Sequence, residues 1–370
     1  MAVGNNIQEA IEASDGERAE KLLAENVGRG MDPWQIHLSL FPVAQRVLNP
    51  PFINPHLPKM YSIYRELVPY LEKDRVAHFV ALEIREFARR AKMEKIPRIH
   101  SPVFSASFTE IESSIRENDT AKAAALMAAF CDQKGGREFS RRLLLLGSGY
   151  LKNSLGHSLS CTAFILLEML QRRDQDPWPA FSALANYFCQ GRFQTTPDLQ
   201  DSPPFSPEAV LESHLLRASS GRGFTNLHQT ITGYAVARVR DFFTPMEENH
   251  LWRAWIEFLG DKKGEGVTLE GGGSGESEDY DRFYASFSAG KTKSLVASFW
   301  QKIGLDEGRR RIGRFLIQGL CDQYQGSYDP HFLTGLGSAL WVLGRYWKNP
   351  SLVAQTLFQY LDFFFTSRRS

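Results

Sequence analysis

IQEAIEASDGERAEKLLAEN, residues 7–26, decides the fold class of this 370-residue chain. Its apolar residues recur every three or four positions on both sides of a polar turn that contains Asp15. That spacing places them on one face of an α-helix, whereas a half-buried strand would alternate apolar and polar residues. The stretch therefore predicts two short amphipathic helices joined by a turn.

The same organisation recurs further along the chain. IESSIRENDTAKAAALMAAF (111–130) repeats it, FYASFSAGKTKSLVASFWQKIG (283–304) resembles a third copy, and SPEAVLESHLLRAS (206–219) resembles a shortened one. Helical periodicity continues between these copies, and the alternating patterns typical of strands are almost absent. We therefore predict an all-α fold with a helical-repeat architecture.

Each copy leads to a histidine that precedes another helical pattern, and two pairs of these histidines are separated by nearly the same number of residues. His56 and His228 are 172 residues apart, and His157 and His331 are 174 apart. The offset indicates an internal duplication into two pseudo-equivalent halves, 1–195 and 205–370, each of two helical units. A Gly-rich, acidic insertion at 260–281 is predicted to be a flexible linker, with a lid as the alternative.

Bulk composition excludes several classes of protein. The net charge is +1, which does not suit a nucleic-acid partner, and 43% of the residues are hydrophobic, which is enough for a packed core. We recognise no signal peptide, and no apolar run approaches the roughly 20 residues of a membrane span. The four scattered cysteines form no CxxC pair. We expect a cytoplasmic protein with free, mostly buried thiols.

The residues before the histidines resemble helix N-termini. Asn54, Asn226 and Asp329 are preferred N-cap residues, and Pro55 and Pro330 suit the first helical position. Each histidine is thus predicted at the second helical position, where the helix dipole disfavours a cation and lowers the imidazole pKa. A neutral imidazole binds metals or polarises a carbonyl.

The repeats predict that these histidines converge on one internal site. We assign catalytic roles to His56, His157, His228 and His331. The predicted metal ligands are these four together with His78 and His250, which are also 172 residues apart. Nearby aromatic residues would form an apolar wall: Tyr61, Phe164, Tyr234 and Phe332. The alternative is that the histidines only stabilise helix starts.

Other catalytic motifs fit poorly. Glu247 and His250 form an E-x-x-H pair, but its counterpart in the first half has Arg75 instead of a glutamate, which argues against a di-iron bundle. LGSGY (146–150) is not a nucleophile elbow, and SSGRGFTN (219–226) is not a Walker loop. Iron or another transition metal held mainly by histidines remains the metal hypothesis.

Four segments carry a resemblance to a known family: IQEAIEASDGERAE, INPHLPKMYSIYRELVPYL, SLGHSLSCTAFILLEML and FTNLHQTITGYAVARVRDFF. Their order resembles the questin oxidase-like family and the all-helical half of certain Rieske-fused bacterial proteins. The resemblance implies oxygen-dependent oxidation of aromatic polyketides with a reduced nicotinamide cofactor, such as NADPH. This chain has no C-x-H…C-x-x-H motif, so a redox reaction would need a separate electron-transfer partner or a diffusible reductant.

Two functional hypotheses follow. The first is an oxidoreductase of the monooxygenase class, whose histidines bind a metal or orient a small apolar or aromatic substrate. The alternative is a non-catalytic α-helical scaffold that binds proteins on a concave surface. The first requires the histidines to come together, and the second allows them to be dispersed.

Overall fold

The computed structural model describes residues 2–99, 106–172, 175–199, 207–261, 285, 287, 291–326 and 329–367. Within these residues there are eighteen α-helices and three short 3-10 helices. Strand-like pairing in this part of the chain consists of two isolated bridges, Val47 with Lys92 and Asn49 with Phe52. The all-α prediction is therefore confirmed.

The chain divides into two compact units. The first comprises Met1–Ile63, Glu72–Ser202 and Ala235–Ala254, and the second comprises Tyr64–Leu71, Pro203–Tyr234 and Trp255–Ser370. The predicted duplication into halves at 1–195 and 205–370 stays a prediction. Of the insertion predicted at 260–281, residues 262–281 lie outside the described part of the chain.

The N-terminal helices form as the opening stretch predicts. Ile7, Ala10 and Ile11 are fully buried, and the Asp15 carboxylate caps the second helix by accepting the backbone N–H of Arg18. The first three helices pack against the sixth. The helices of this region are α1 (Ala2–Glu12), α2 (Gly16–Gly28), α3 (Pro33–Ser39), α4 (Phe41–Ala44), α5 (His56–Leu67) and α6 (Lys73–Arg89).

The next five helices belong to the same unit. Ser107 and Glu110 form a capping box at the start of this group, and α10 is buried along nearly its whole length. Helix α8 packs against α7, α9 and α11, and α9 packs against α10. Their bounds are α7 (Phe108–Arg116), α8 (Thr120–Lys134), α9 (Gly136–Ser148), α10 (His157–Gln171) and α11 (Trp178–Gly191).

The remaining helices follow in the C-terminal part of the chain. The last of them, α18, is largely buried and packs against α12, α15 and α17. Among the described helices none combines the length and the apolar character needed to cross a membrane. The bounds are α12 (Pro207–Ser220), α13 (Phe224–Val239), α14 (Pro245–Leu259), α15 (Thr292–Phe299), α16 (Asp306–Asp322), α17 (Pro330–Arg345) and α18 (Pro350–Ser367).

Candidate metal site

Three of the four histidines stand at helix starts. Helix α17 begins at Pro330, and the Asp329 carboxylate caps it by accepting the backbone N–H of His331 at 2.9 Å. Helices α5 and α10 begin at His56 and His157 themselves, and Gly156 precedes the latter with φ of 78°. The predicted cap and the second helical position are thus confirmed for His331, while His56 and His157 are first residues.

The predicted helix start at His228 is wrong. Helix α13 begins at Phe224, so His228 lies in its second turn. Gly223 has φ of 82°, a conformation that glycine adopts without steric cost, and the helix starts directly after it. Asn226 does not cap this helix, because its amide donates to the carbonyl of Arg222 at 2.5 Å.

The structure nevertheless brings the four histidines together. One ring nitrogen from each of them lies within 4.8 Å of the corresponding atoms of the other three. All four residues are buried, with at most 3% of their surface exposed. We call His56, His157, His228 and His331 the four-histidine cluster.

His56 and His157 form the first pair of this cluster. Their Nε2 atoms are 2.7 Å apart, and their rings are nearly perpendicular, with centroids 4.6 Å apart. The Nδ1 atom of His157 lies 2.6 Å from the carbonyl oxygen of Ser154. Because a carbonyl only accepts hydrogen bonds, Nδ1 of His157 carries a proton, and its Nε2 has a lone pair when the ring is neutral.

Asn49 approaches the other side of the first pair. Its Nδ2 atom lies 3.3 Å from Nδ1 of His56, and its Oδ1 accepts a hydrogen bond from Arg90. Arg90 is in turn paired at 2.9 Å with Glu86, whose side chain is fully buried. This chain of contacts orients the Asn49 amide so that its NH₂ group faces His56.

His228 and His331 form the second pair, with ring centroids 4.5 Å apart. Nδ1 of His228 lies 2.7 Å from the carbonyl oxygen of Phe224, and Nδ1 of His331 lies 2.5 Å from Oδ1 of Asp329. Both Nδ1 atoms therefore donate, and both Nε2 atoms have lone pairs in the neutral rings.

The Asp329 carboxyl has a lowered pKa. Burial acts to raise this pKa, but hydrogen bonds from the side chain and backbone of His331, together with the electrostatic influence of the His331 and His228 rings, outweigh burial. Asp329 is therefore a carboxylate at neutral pH. A carboxylate that accepts the Nδ1 proton orients a ligating histidine and makes its Nε2 more basic.

Aromatic rings that the sequence analysis did not name contact both pairs. Phe224 packs on His228 and His331 at centroid distances of 4.2 and 4.9 Å, and Phe52 meets His56 edge-on at 6.2 Å. Both phenylalanines are partly exposed, at 39% and 55%. They connect the buried rings to the protein surface.

The four aromatic residues predicted to form an apolar wall are buried, and three of them pack against other aromatic rings. Tyr61 stacks on His37 with a centroid distance of 4.3 Å, and Tyr234 packs against Trp341 at 5.2 Å. Phe332 packs on Phe364 at 4.8 Å. Phe164 is buried in α10. Phe363 is a further aromatic neighbour of the cluster, with its ring centroid 6.3 Å from that of His331.

Lys59 lies one helical turn beyond His56 and is fully buried. Its Nζ donates to Ser160 Oγ at 3.1 Å, so this contact repeats the His56–His157 contact one turn along α5 and α10. Burial lowers the pKa of Lys59. Burial also raises the pKa of the neighbouring Cys161 to about 11, which keeps this thiol protonated and unsuited to bind a metal.

The two further histidines predicted as metal ligands are placed differently from the cluster. His78 is exposed on α6. His250 is half-buried, with its Nε2 3.1 Å from Ser148 Oγ. The E-x-x-H glutamate, Glu247, accepts from the N–H and hydroxyl of Thr244 and pairs with Arg141. We therefore do not include His78 and His250 in the site.

The sequence analysis did not identify a buried pair formed by His37 and Glu83. Nδ1 of His37 lies 2.7 Å from Oε2 of Glu83, and the His37 ring is stacked between Trp34 and Tyr61. Burial raises the pKa of the Glu83 carboxyl well above its usual range, although Arg172 opposes this. The available signal was Glu83 itself, a charged residue on the apolar stripe of α6 formed by Phe79, Leu82 and Phe87.

The donor set of the cluster suits a transition-metal ion. Imidazole nitrogen is a ligand for zinc, copper, iron and nickel. Nitrogens bound tetrahedrally at about 2.0–2.1 Å from zinc are about 3.3 Å from each other. The nitrogens of the cluster lie within 4.8 Å of one another, so small side-chain shifts suffice to reach that geometry.

No family model matches this chain, and no curated protein or solved structure is significantly similar to it. The resemblance to the questin oxidase-like family, and the catalytic and ligand roles of the histidines, stay predictions.

Proposed function

We propose that the four-histidine cluster binds one divalent first-row transition-metal ion. We further propose that the protein is an oxidoreductase that uses this metal to oxidise a small apolar or aromatic molecule. The observation that carries the proposal is the burial of four imidazoles whose ring nitrogens lie within 4.8 Å of one another. Histidine is the commonest protein ligand for such metals, and it binds them as the neutral ring.

The atoms around the rings support metal binding over a purely structural role. For His157, His228 and His331, Nδ1 is engaged by a carbonyl or carboxylate oxygen, which leaves Nε2 as the coordinating atom. Metal-ligating histidines almost always have such a partner on the second ring nitrogen, since it fixes the tautomer and the ring orientation. A helix-capping role would not require this arrangement three times within one cluster.

The proposed substrate class follows from Phe52 and Phe224. Each has one edge or face against a cluster histidine and part of its surface in solvent. Small-molecule sites are lined mainly by apolar and aromatic side chains, with a few polar groups that fix orientation. Rings in these positions favour an apolar or aromatic molecule.

The redox part of the proposal rests on the ligand set and the family resemblance. A nitrogen-only set accommodates iron and copper as well as zinc. Electrons would come from a separate protein partner or from a diffusible reductant such as NADPH, since this sequence has no Rieske motif of its own.

Metal content is the first test. We would analyse the purified protein for iron, copper, zinc and nickel, remove bound metal with a chelator, and titrate the metal-free protein with Co²⁺ while recording its visible absorption. The proposal predicts one equivalent of metal in the wild type and its loss in His157→Ala and His331→Ala. His78→Ala is the matched control, because His78 is exposed, and it should bind like the wild type. Equal binding by all four proteins would contradict the proposed site.

Oxidase activity is the second test. Oxygen consumption would be measured with the iron- and copper-loaded protein, NADPH and a hydroxylated aromatic probe such as 2-naphthol. We expect consumption that depends on the loaded metal and on His157. A metal-bound protein that never consumes oxygen with any reductant would remove the redox proposal and leave the metal site, whereas a metal-free, inactive protein would favour the scaffold hypothesis.

A further inference from the structure

The four histidines differ in what faces the ring nitrogen that points away from the cluster. For His157, His228 and His331 that partner is an oxygen that accepts a hydrogen bond. For His56 it is Nδ2 of Asn49, at 3.3 Å, which is a hydrogen-bond donor. The proton of His56 must therefore be placed differently from the protons of the other three.

The orientation of the Asn49 amide is fixed by its second contact. Arg90 donates to Oδ1 of Asn49, and an arginine has no acceptor to offer. Turning the amide around would place its NH₂ group against the guanidinium, so that a donor would face a donor. Glu86 prevents Arg90 from moving away, because it binds two nitrogens of Arg90 at 2.9 and 3.1 Å and is itself fully buried.

The tautomer of His56 follows from this orientation. Since Nδ1 of His56 accepts the Asn49 N–H, a neutral His56 ring carries its proton on Nε2. The Nε2 atom of His157 lies 2.7 Å away and has a lone pair, because its own Nδ1 donates to Ser154. His56 therefore donates to His157 in the metal-free protein, and the two assignments agree with each other.

We infer that His56 is not a metal ligand but a hydrogen-bond donor beside the metal. This inference rests on the proposed metal site and deepens it. His157, His228 and His331 present lone pairs and are the three ligands, whereas the lone pair of His56 is already occupied by Asn49. Three protein ligands and one open position are typical of catalytic metal sites, and structural sites have four.

The chemistry of the open position follows as well. The Nε2–H of His56 lies within the cluster and donates, so the ligand that it favours must accept a hydrogen bond. Water, hydroxide or another oxygen ligand does so, and a ligand without a lone pair to spare does not. Asn49 and Arg90 are positioning residues in this arrangement, since they act only through His56.

The tautomer can be measured without any metal. In metal-free protein labelled with ¹⁵N-histidine, two-dimensional NMR distinguishes rings protonated at Nε2 from rings protonated at Nδ1. We expect one Nε2–H ring that His56→Ala removes and that Asn49→Asp converts to the Nδ1–H form, because a carboxylate accepts where the amide donated. Finding His56 protonated at Nδ1 in the wild type would overturn the inference.

Co²⁺ binding then separates ligands from non-ligands. His56→Ala should keep one Co²⁺ per protein with affinity lowered about 10-fold, the smaller end of the range for lost second-shell contacts. His157→Ala should lose stoichiometric binding. If His56→Ala loses Co²⁺ as completely as His157→Ala, His56 is a ligand and the inference is wrong.

Asn49→Asp gives the sharpest contrast, since the two side chains have nearly the same shape and Arg90 can pair with either. It should turn His56 into a fourth ligand. X-ray absorption of the Co²⁺ protein should count three imidazoles in the wild type and four in the variant, and unchanged counts would contradict the assignment. If the wild type binds no Co²⁺ at all, the proposed metal site fails and the role of His56 fails with it, while the NMR result still reports the hydrogen-bond arrangement separately.

Discussion

The first and second histidine pairs have nearly the same internal geometry, with ring centroids 4.6 and 4.5 Å apart, but their surroundings differ. A neutral amide and a backbone carbonyl flank the first pair, and a carboxylate and a backbone carbonyl flank the second. The comparison teaches that the neighbour of a histidine, more than the histidine itself, decides whether its ring offers a lone pair or a proton.

Charge is the second difference between the pairs. The lowered pKa of Asp329 places a negative charge beside His331, whereas Asn49 is neutral beside His56. A divalent ion bound by neutral imidazoles is stabilised by a nearby carboxylate. We therefore expect the second pair to contribute more to metal affinity than the first.

Among substitutions outside the histidines themselves, the largest effect on metal binding is expected for Asp329→Ala. Loss of the carboxylate removes the acceptor that orients His331, and removal of such a group typically costs about 10- to 100-fold in metal affinity. Asn49→Ala should cost less, since in our account it serves a histidine that is not a ligand. Co²⁺ titration of both metal-free variants measures the difference, and equal losses would break the proposed asymmetry.

Asp329 also caps α17, so its removal costs stability as well, about 0.5–2 kcal/mol. Asp329→Asn separates the two roles, because asparagine is an equally good N-cap residue but carries no charge. We expect the asparagine variant to unfold like the wild type in urea and still to bind Co²⁺ more weakly. If Asp329→Asn has both the stability and the Co²⁺ affinity of the wild type, only the helix cap matters and the charge of Asp329 does not.

A smaller effect on metal binding is expected from the glycines that precede one histidine of each pair, His157 and His228. Gly156 and Gly223 both have positive φ, where a Cβ costs roughly 1–2 kcal/mol. Gly156 directly precedes His157, whereas Gly223 lies a full turn before His228. We expect Gly156→Ala to lower both stability and Co²⁺ affinity, and Gly223→Ala to lower stability alone; urea unfolding and Co²⁺ titration together test this.

The aromatic neighbours should affect the rate of metal exchange more than the affinity. Phe224 contacts both rings of the second pair, while Phe52 meets only His56 and is more exposed. Phe224→Ala should therefore let a chelator remove Co²⁺ faster than Phe52→Ala does. Stopped-flow absorption with excess chelator gives both rates, and the reverse order would count against Phe224 as the ring that shields the site.

The smallest effect on metal binding is expected at Glu83, whose pKa shift is opposite in sign to that of Asp329. Its raised pKa means that the folded protein keeps a proton which the unfolded chain has released, so stability is full below the ordinary carboxyl pKa and declines as pH rises through the raised value. Glu83→Gln should flatten this decline in urea unfolding between pH 5 and 8 and leave Co²⁺ affinity unchanged. A decline that persists in the variant would assign it to another group.

Much of the fold could be predicted from periodicity. The apolar residues spaced along 7–26 predicted two helices, and both are present. This prediction works because short helices are stabilised mainly by burying an apolar face. The start of α13 was predicted wrongly, since a plausible cap at Asn226 competed with Gly223, and the backbone conformation that decided between them is not visible in the residue types.

The site was predicted in part. The nearly equal offsets of 172 residues between His56 and His228 and 174 between His157 and His331 indicated that they belong together, and one ring nitrogen of each lies within 4.8 Å of the others. The partners of the rings could not be predicted, because Asn49 and Arg90 are 41 residues apart and no repeat relates them. His37 and Glu83 were missed for the same reason, since 46 residues separate them.

The central claim is that the four-histidine cluster holds a metal, and anomalous diffraction tests it most directly. Crystals of the wild-type protein grown with Zn²⁺ would be measured on both sides of the zinc absorption edge. Our account predicts one anomalous peak at bonding distance from Nε2 of His157, His228 and His331, with His56 contacting an oxygen ligand instead of the metal. Zinc found only on surface groups, with His56 and His157 still hydrogen-bonded to each other, would contradict it.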